Sequence, residues 1–170
     1  MSSMSQFKLE DADVLIDLAN QTLTLPKHNK FYVISTGKNG IGEQENTGRT
    51  PRGWHRVAKK IGAESPQNAV FIARKPTGEV YSTELAAQYP ERDWILSRIL
   101  WLDGLETGFN KGEGHDTMQR YIYIHGTPDT QPMGVPMSHG CIRMRNEEII
   151  ELFDLVAEDA LVYLSEQSLT

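Results

Sequence analysis

The sequence has only one cysteine, so an intrachain disulfide cannot form. Small secreted domains often rely on disulfides because they bury too little apolar surface to fold without them. This chain has 170 residues, which is enough to bury a substantial core. The fold is therefore expected to form without an oxidising compartment.

An excess of basic residues is also missing. The 17 Lys and Arg residues are outnumbered by 23 Asp and Glu residues, the formal net charge is −6, and neither sign forms a long run. Because phosphate contacts require a basic surface, we expect no nucleic acid partner. Apolar residues make up 39% of the chain and charged residues 24%, which is typical of a folded soluble protein.

The third absence is a long apolar stretch. No segment approaches the roughly 20 apolar residues of a transmembrane helix, so we expect no membrane partner. Residues 1–17 contain several charged side chains and no apolar run longer than Val14–Ile16. A secretory signal needs a longer run, followed by a cleavage site. The sequence therefore predicts a cytoplasmic protein, or a periplasmic one if a signal peptide has been removed ahead of Met1.

Most of the apolar pattern is that of β-strands. Short runs rich in β-branched and aromatic residues predict strands at 14–18, 21–25, 31–36, 54–58, 69–73, 95–102, 121–124 and 160–164. Pro76–Gly78 predicts a turn. One helix is predicted with Asn146 as its N-cap and an apolar stripe through Val156. We therefore expect one mainly β domain over residues 1–170, with its core at about 14–164 and one late helix.

The single cysteine lies among residue types that perform acyl transfer. Cys141 follows His139 by two residues and His125 by sixteen, and His125 is placed at the end of a predicted strand. A thiol is a good nucleophile only as a thiolate, and an imidazole is the usual group that generates one. Gly140 permits unusual backbone conformations, so the N–H groups around it could point at a developing oxyanion. The pattern predicts an acyl-transfer site.

Two other interpretations of these residues remain open. A lone cysteine is most often a small buried apolar residue. Two histidines and a cysteine could also be metal ligands, but no fourth ligand lies nearby in the sequence, so we predict no metal and no cofactor. The other histidines lie among polar residues and are predicted to be exposed and without a catalytic role: His28, His55 and His115.

Two segments resemble the signature of L,D-transpeptidase catalytic domains. They read Tyr123-Ile124-His125-Gly126-Thr127 and Ser138-His139-Gly140-Cys141-Ile142-Arg143-Met144. The resemblance extends upstream to residues 17–23, 35–37 and 50–53, so it covers about 14–164. It implies the YkuD-type fold, a β-sandwich or barrel-like arrangement. No motif can be assigned within residues 62–119.

The resemblance also implies roles for individual residues. Cys141 matches the nucleophile and His125 the base, while His139 and Gly140 match residues that shape the oxyanion hole. Arg143 is expected to bind a substrate carboxylate with its fork of donors. The neighbouring residues Ser138 and Gly126 are also expected to contribute to substrate binding.

The substrates that the resemblance implies are peptidoglycan stem peptides. Members of the family cleave between the third residue, often meso-diaminopimelate, and the terminal D-alanine of a stem tetrapeptide. A thioester acyl-enzyme forms, and water or an amine resolves it. The resemblance further implies that carbapenems acylate the cysteine and act as covalent inhibitors.

The choice between water and an amine depends on the segment between His125 and Ser138. Its 12 residues are slightly fewer than in many members, and three prolines stiffen it. Since the cytoplasm supplies soluble muropeptides, we expect an L,D-carboxypeptidase that removes terminal D-alanine in murein recycling. One alternative is an L,D-transpeptidase that forms 3-3 cross-links. The other is an inactive muropeptide-binding domain, against which the intact Cys141 and His125 pair argues.

Overall fold

A computed structural model describes residues 6–170, and residues 1–5, with the start at Met1, lie outside the described residues. The elements over 6–170 are, in chain order, β1 (Val14–Asp17), β2 (Thr22–Leu25), β3 (Lys30–Val33), β4 (Gly53–Ile61), β5 (Ala69–Ile72), β6 (Lys75–Val80), α1 (Thr83–Gln88), β7 (Ile95–Gly104), β8 (Tyr123–Gly126), β9 (Ile142–Met144), α2 (Asn146–Leu155) and β10 (Leu161–Ser165). The predicted mainly β class and the late helix are confirmed.

All of these strands belong to one sheet, in the order β3-β2-β1-β10-β4-β7-β5-β6, with β8 attached to β7 and β9 attached to β8. Two neighbouring pairs are parallel, β1 with β10 and β8 with β9. A parallel pair cannot be joined by a tight turn, so the chain between β8 and β9 must cross over through a longer loop. That crossover, residues 127–141, joins the two signature segments and returns the second to the side of the first.

The main core lies between α2 and one face of the sheet. The stripe of α2 contributes the buried side chains Ile149, Leu152 and Phe153. Complete burial of one such side chain favours folding by roughly 1.5–3 kcal/mol. A second, smaller cluster of Ala69, Phe71, Ile99 and Tyr123 lies outside this core, with Cys141 packed against it.

The predicted strand at 69–73 is confirmed as β5, but the chain between β5 and β7 forms structure that the sequence patterns did not reveal. The predicted turn at Pro76–Gly78 is wrong, because these residues lie inside β6. The turn falls earlier, where Ile72 pairs with Lys75. The two residues between them have positive φ angles of 51° and 65°, as in the two-residue turns that match strand twist. The short helix α1 follows β6, and the Ser82 hydroxyl accepts the Leu85 N–H at 3.0 Å.

The helix α2 begins at Asn146, but the prediction that Asn146 is its N-cap is wrong. The N-cap is Arg145, whose side chain makes no capping hydrogen bond. The Asn146 amide is buried and donates to the Thr127 carbonyl at 2.9 Å. The amide oxygen accepts from the Ser97 hydroxyl at 2.6 Å. Asn146 therefore fastens the chain leaving β8 to β7, so its polar groups are satisfied away from the helix end.

The predicted exposure of the remaining histidines holds only in part. His28 is exposed and His115 is half-buried, whereas His55 is completely buried. The His55 ring lies 3.0 Å from the Gly53 carbonyl through Nδ1 and 2.8 Å from the Thr117 hydroxyl through Nε2. Burial lowers the pKa of His55 to about 4, so the ring is neutral at pH 7.

No helix within residues 6–170 is long and apolar enough to cross a membrane.

Candidate active site

The two signature segments meet on adjacent parallel strands. The register of β8 and β9 pairs His125 with Arg143. Side chains alternate along a strand, so His125 and Arg143 project from the same face as Tyr123 and Cys141. This is the face that carries the smaller apolar cluster, opposite the main core. The fold therefore brings the predicted nucleophile and the predicted base to one side of the sheet.

Cys141 is half-buried and its thiol contacts backbone groups at the start of β8. The Sγ atom donates to the Tyr121 carbonyl at 3.3 Å and accepts the Tyr123 N–H at 3.3 Å. Burial raises the pKa of the Cys141 thiol to about 12, although the Tyr123 N–H and the cations of Arg143 and Arg120 oppose this shift. The resting group is therefore a neutral thiol, and a base must remove its proton before it can attack.

His125 is held in the form that a general base requires. The side chain is 1% exposed, and Nδ1 lies 2.6 Å from the Gly126 carbonyl oxygen. A carbonyl can only accept, so Nδ1 carries the hydrogen and Nε2 keeps its lone pair in the neutral ring. Burial lowers the pKa of His125, and the Asp93 carboxylate opposes that shift. His125 is thus neutral near pH 7 and ready to accept a proton at Nε2.

Gly126 supports His125 through its backbone. A Cβ atom at this position would lie 2.6 Å from the Leu96 carbonyl oxygen, so only glycine allows β7 and β8 to approach this closely. Its carbonyl orients the His125 ring. The contribution of Gly126 to substrate binding stays a prediction.

A β-bulge in β7 lies opposite His125 and Gly126. The register shifts between Leu96, which pairs with Gly126, and Ile99, which pairs with His125. Inside the bulge, Ser97 is completely buried and has a φ of 73°, which is unusual for a residue with a side chain. Bulges of this kind re-aim side chains next to active sites. The hydroxyl of Ser97 donates to the Asn146 amide oxygen, and the Asn146 amide group donates to the Thr127 carbonyl. This buried network links the bulge in β7 to the chain that follows His125.

Ser138 closes the loop that presents the cysteine. Its hydroxyl donates to the Cys141 carbonyl at 2.6 Å and accepts the Gly140 N–H at 3.1 Å. The residue is only 2% exposed. These contacts brace the loop, and the predicted role of Ser138 in substrate binding is not among them.

Gly140 has a φ of 122°, a conformation that residues with side chains rarely adopt. The Thr50 hydroxyl donates to its carbonyl at 2.8 Å and fixes the peptide. The predicted need for glycine next to the cysteine therefore has a structural reason. Its own N–H is bound to Ser138, so a contribution to an oxyanion hole stays a prediction, as it does for His139.

Sequence reasoning missed Asp93, which lies between α1 and β7. Its carboxylate is 3.0 Å from Arg143 Nη2 and 3.4 Å from His139 Nδ1. Burial acts to raise the pKa of Asp93, but interactions with His125, Arg143 and His139 hold it below the ordinary value. Asp93 is therefore an ionised group whose charge acts on both the base and the thiol. No sequence signal distinguishes it from the other acidic residues.

Arg143 is already occupied by groups of the protein. Besides Asp93, its guanidinium contacts the Gln131 side-chain oxygen at 3.3 Å and the Met137 carbonyl at 3.4 Å. The Nε atom is buried and has no hydrogen-bond partner among residues 6–170. A substrate carboxylate would have to displace or share Asp93, so substrate binding by Arg143 stays a prediction.

Residues 11–164 match the profile of the YkuD family, the L,D-transpeptidase catalytic domain. This chain belongs to that family. No curated protein matched the sequence. Among residues 6–170, no group of three or more His, Cys, Asp or Glu side chains is arranged to hold a metal ion.

Several solved L,D-transpeptidases share the fold of this domain. The enzyme from Xylanimonas cellulosilytica is 18% identical, with 96% of this chain and 63% of that chain aligned at a TM-score of 0.51. The Ldtfm carbamoyl enzyme formed with avibactam is 19% identical, covering 94% and 50% at 0.54. An L,D-transpeptidase variant from Enterococcus faecium is 21% identical, covering 91% and 50% at 0.50. The chain spans about half to two thirds of their length.

Family membership favours the catalytic interpretation of Cys141 over a structural or metal-binding one. The L,D-transpeptidase family consists of cysteine-dependent acyltransferases. This L,D-transpeptidase domain has one cysteine, so a thiol mechanism can use only Cys141. The position of Cys141 beside a neutral, oriented imidazole agrees with that chemistry.

Proposed function

We propose that this L,D-transpeptidase-family domain is an L,D-carboxypeptidase. It removes the terminal D-alanine from soluble peptidoglycan tetrapeptides and releases the tripeptide. The observation that carries the proposal is the single, half-buried thiol on the same face of β8 and β9 as a base whose tautomer is fixed by Gly126. A cytoplasmic location is part of the proposal, and fractionation of cells that produce the native protein tests it.

The first half of the reaction forms a thioester. His125 Nε2 takes the thiol proton as Cys141 Sγ attacks the carbonyl carbon of the third stem residue. The carbonyl oxygen becomes an oxyanion, which N–H groups of the loop around Cys141 stabilise. When the C–N bond breaks, the imidazolium of His125 protonates the departing amine, and D-alanine leaves.

The second half regenerates the thiol. A water molecule gives one proton to His125 as its oxygen attacks the thioester carbon. The C–S bond then breaks, the third residue becomes a free carboxylic acid, and His125 returns the proton to Cys141 Sγ. The imidazole therefore acts as base and then as acid in each half.

The crossover 127–141 supports water as the acceptor. Its backbone is bound to the body of the domain, with the Gly134 N–H on the Ile34 carbonyl at 2.8 Å and the Met137 N–H on the Thr36 carbonyl at 2.9 Å. The Ser35 hydroxyl also donates to the Val135 carbonyl at 2.6 Å. A loop held down in this way offers a second stem peptide little surface for holding an amine in attack geometry.

The family match itself favours the alternative, an L,D-transpeptidase that transfers the acyl group to an amine. Incubation with tetrapeptide, with and without a D-amino acid, followed by mass spectrometry, separates the two functions. We expect tripeptide and D-alanine as the main products under both conditions. Mainly 3-3 dimers or exchanged D-amino acid would establish the transpeptidase, and binding without any product would indicate a muropeptide-binding domain.

A further inference from the structure

A further cation lies beside Tyr121, the residue whose carbonyl accepts from the thiol. Arg74 is the last residue of the two-residue turn between β5 and β6. Its guanidinium carbon lies 4.4 Å from the ring centre of Tyr121 and 5.1 Å from that of Trp101. Its Nη1 donates to the Tyr123 hydroxyl at 3.0 Å. We name Arg74, Trp101, Tyr121 and Tyr123 the Arg74 platform.

The platform is directly connected to the thiol through Tyr121. The Tyr121 ring belongs to the platform, and the Tyr121 carbonyl accepts from Cys141 Sγ. Tyr121 has a φ of 58°, which is an outlier for a bulky side chain, and it is 51% exposed. Strained residues of this kind concentrate at functional sites, where the surrounding structure holds them in place. An exposed ring is thus held at a fixed position relative to the nucleophile.

The charge on the platform is not neutralised by the protein. No carboxylate among residues 6–170 forms an ion pair with Arg74. By contrast, Arg143 pairs with Asp93 and Arg92 pairs with Glu79. Aromatic stacking fixes the orientation of the planar guanidinium, whose remaining donors suit a carboxylate. The platform therefore has the chemistry of a carboxylate site.

The position of the base indicates which part of a substrate reaches the platform. The thiol contacts the backbone at Tyr121 and Tyr123, and His125 lies farther along β8. The imidazole that protonates the departing amine must lie beside that amine. The leaving D-amino acid therefore occupies the His125 side, and the acyl residue extends toward the Arg74 platform.

We propose that the Arg74 platform binds a carboxylate at the end of the side chain of the acyl-donor residue. This inference rests on the proposed function and specifies its substrate class. Diaminopimelate carries such a carboxylate, whereas lysine and side-chain-amidated diaminopimelate do not. The domain therefore selects stem peptides whose third residue is unamidated diaminopimelate.

Binding measurements test the platform without requiring turnover. Calorimetry with the Cys141→Ala protein uses three tetrapeptides that differ only in the third residue: diaminopimelate, its side-chain amide, and lysine. We expect the last two to bind about tenfold more weakly, because each lacks one charge-assisted hydrogen-bonded contact. The added substitution Arg74→Gln should abolish the preference. Arg92→Gln, another stacked arginine of the same region, should leave it intact.

Two outcomes overturn the platform: equal binding of the three peptides, or a preference that survives Arg74→Gln in a protein whose thermal unfolding is unchanged. Turnover of the same peptides by the wild-type domain separates this result from the proposed function. If tetrapeptide is cleaved but Arg74→Gln does not alter the preference, only the platform is wrong. If an Arg74-dependent preference is measured without cleavage, only the carboxypeptidase is wrong.

Discussion

At the scale of single residues, the site is in a resting state set by burial. Burial raises the pKa of Cys141 to about 12 and lowers the pKa of His125. Proton transfer from thiol to imidazole is therefore unfavourable before a substrate arrives. The free thiol is protected from oxidation in this state, because the thiolate is the reactive form.

The first prediction concerns the nucleophile. Cys141→Ala should abolish turnover of tetrapeptide while leaving the fold intact, because no other thiol is present. Intact-mass measurement should also show one carbapenem adduct on the wild-type protein and none on the variant. Near wild-type turnover, or an adduct that maps to another residue, would contradict the mechanism.

The second prediction concerns the base. His125→Ala should slow acylation by roughly 10²- to 10⁴-fold, the usual contribution of a positioned base. His139 is exposed, with a side-chain exposure of 77%, so His139→Ala should have a smaller effect. Single-turnover acylation rates measure both. The roles are reversed if His139→Ala proves the more severe substitution.

The third prediction concerns Asp93 and pH. Its negative charge raises the pKa of both His125 and Cys141. In Asp93→Asn both pKa values should therefore fall, and both limbs of the pH profile of acylation kcat/KM should move to lower pH. Asp129→Asn, at an exposed position on the crossover, is the matched control. An unchanged profile with reduced activity would mean that Asp93 has only a structural role.

At the scale of elements, a strand can be predicted from the sequence when its own side chains are buried on both faces. A strand at an exposed edge, or one that depends on a neighbouring strand, cannot. The run of apolar, β-branched and aromatic residues at 95–102 predicts β7, and such runs are typical of a strand whose two faces are both buried. In contrast, β6 is an exposed edge strand containing proline and glycine, residues that normally indicate turns. The three residues of β9 form a strand because β8 lies beside them and Ser35 bridges to Arg143.

In the active site, too, only the residues that belong to a local sequence pattern could be predicted. Cys141 and His125 each belong to a short contiguous motif, so both could be found by pattern. Asp93 reaches them through tertiary contacts alone, and a single acidic residue has no periodicity to reveal it. The predicted strand at 121–124 begins two residues later, at Tyr123, because the left-handed backbone of Tyr121 cannot belong to a strand.

The fourth prediction concerns the bulge in β7. Ser97→Ala leaves the buried Asn146 side chain and the half-buried Asn68 N–H without their partner, which should lower the free energy of unfolding by about 1–3 kcal/mol. Ser97→Gly loses the same hydroxyl but relieves the positive φ, so it should be less destabilised by about 1 kcal/mol. Urea unfolding measures the difference. Equal stability of the two variants would show that the bulge stores no backbone strain.

At the scale of the whole molecule, the buried His55 couples stability to pH. Burial lowers the pKa of His55 from 6.5 to about 4. Between these two pH values, His55 is protonated in the unfolded chain but neutral in the folded protein. Stability therefore falls as the pH decreases through this window. Buried carboxylates lose their contribution mainly at still lower pH, where they become protonated.

The fifth prediction follows from this coupling. Between pH 7.5 and 5.0, His55 should contribute about 2 kcal/mol to the loss of unfolding free energy. His55→Asn keeps a donor for the Gly53 carbonyl but cannot titrate. The variant should be less stable at pH 7.5, yet its urea midpoint should decrease less steeply on acidification. Parallel pH curves for the two proteins would show that another group is responsible.

The place of β10 in the sheet has a consequence for biosynthesis. This strand lies between β1 and β4, and it is the last to be translated. Strands β1–β3 and the strands from β4 onward therefore cannot be joined into one sheet on the ribosome until residues 161–165 emerge. The nascent chain already contains Cys141 at that stage, with apolar strand edges uncovered. Completion of the sheet should then be a late, long-range step, during which the chain depends on chaperones more than a helical domain of equal length would.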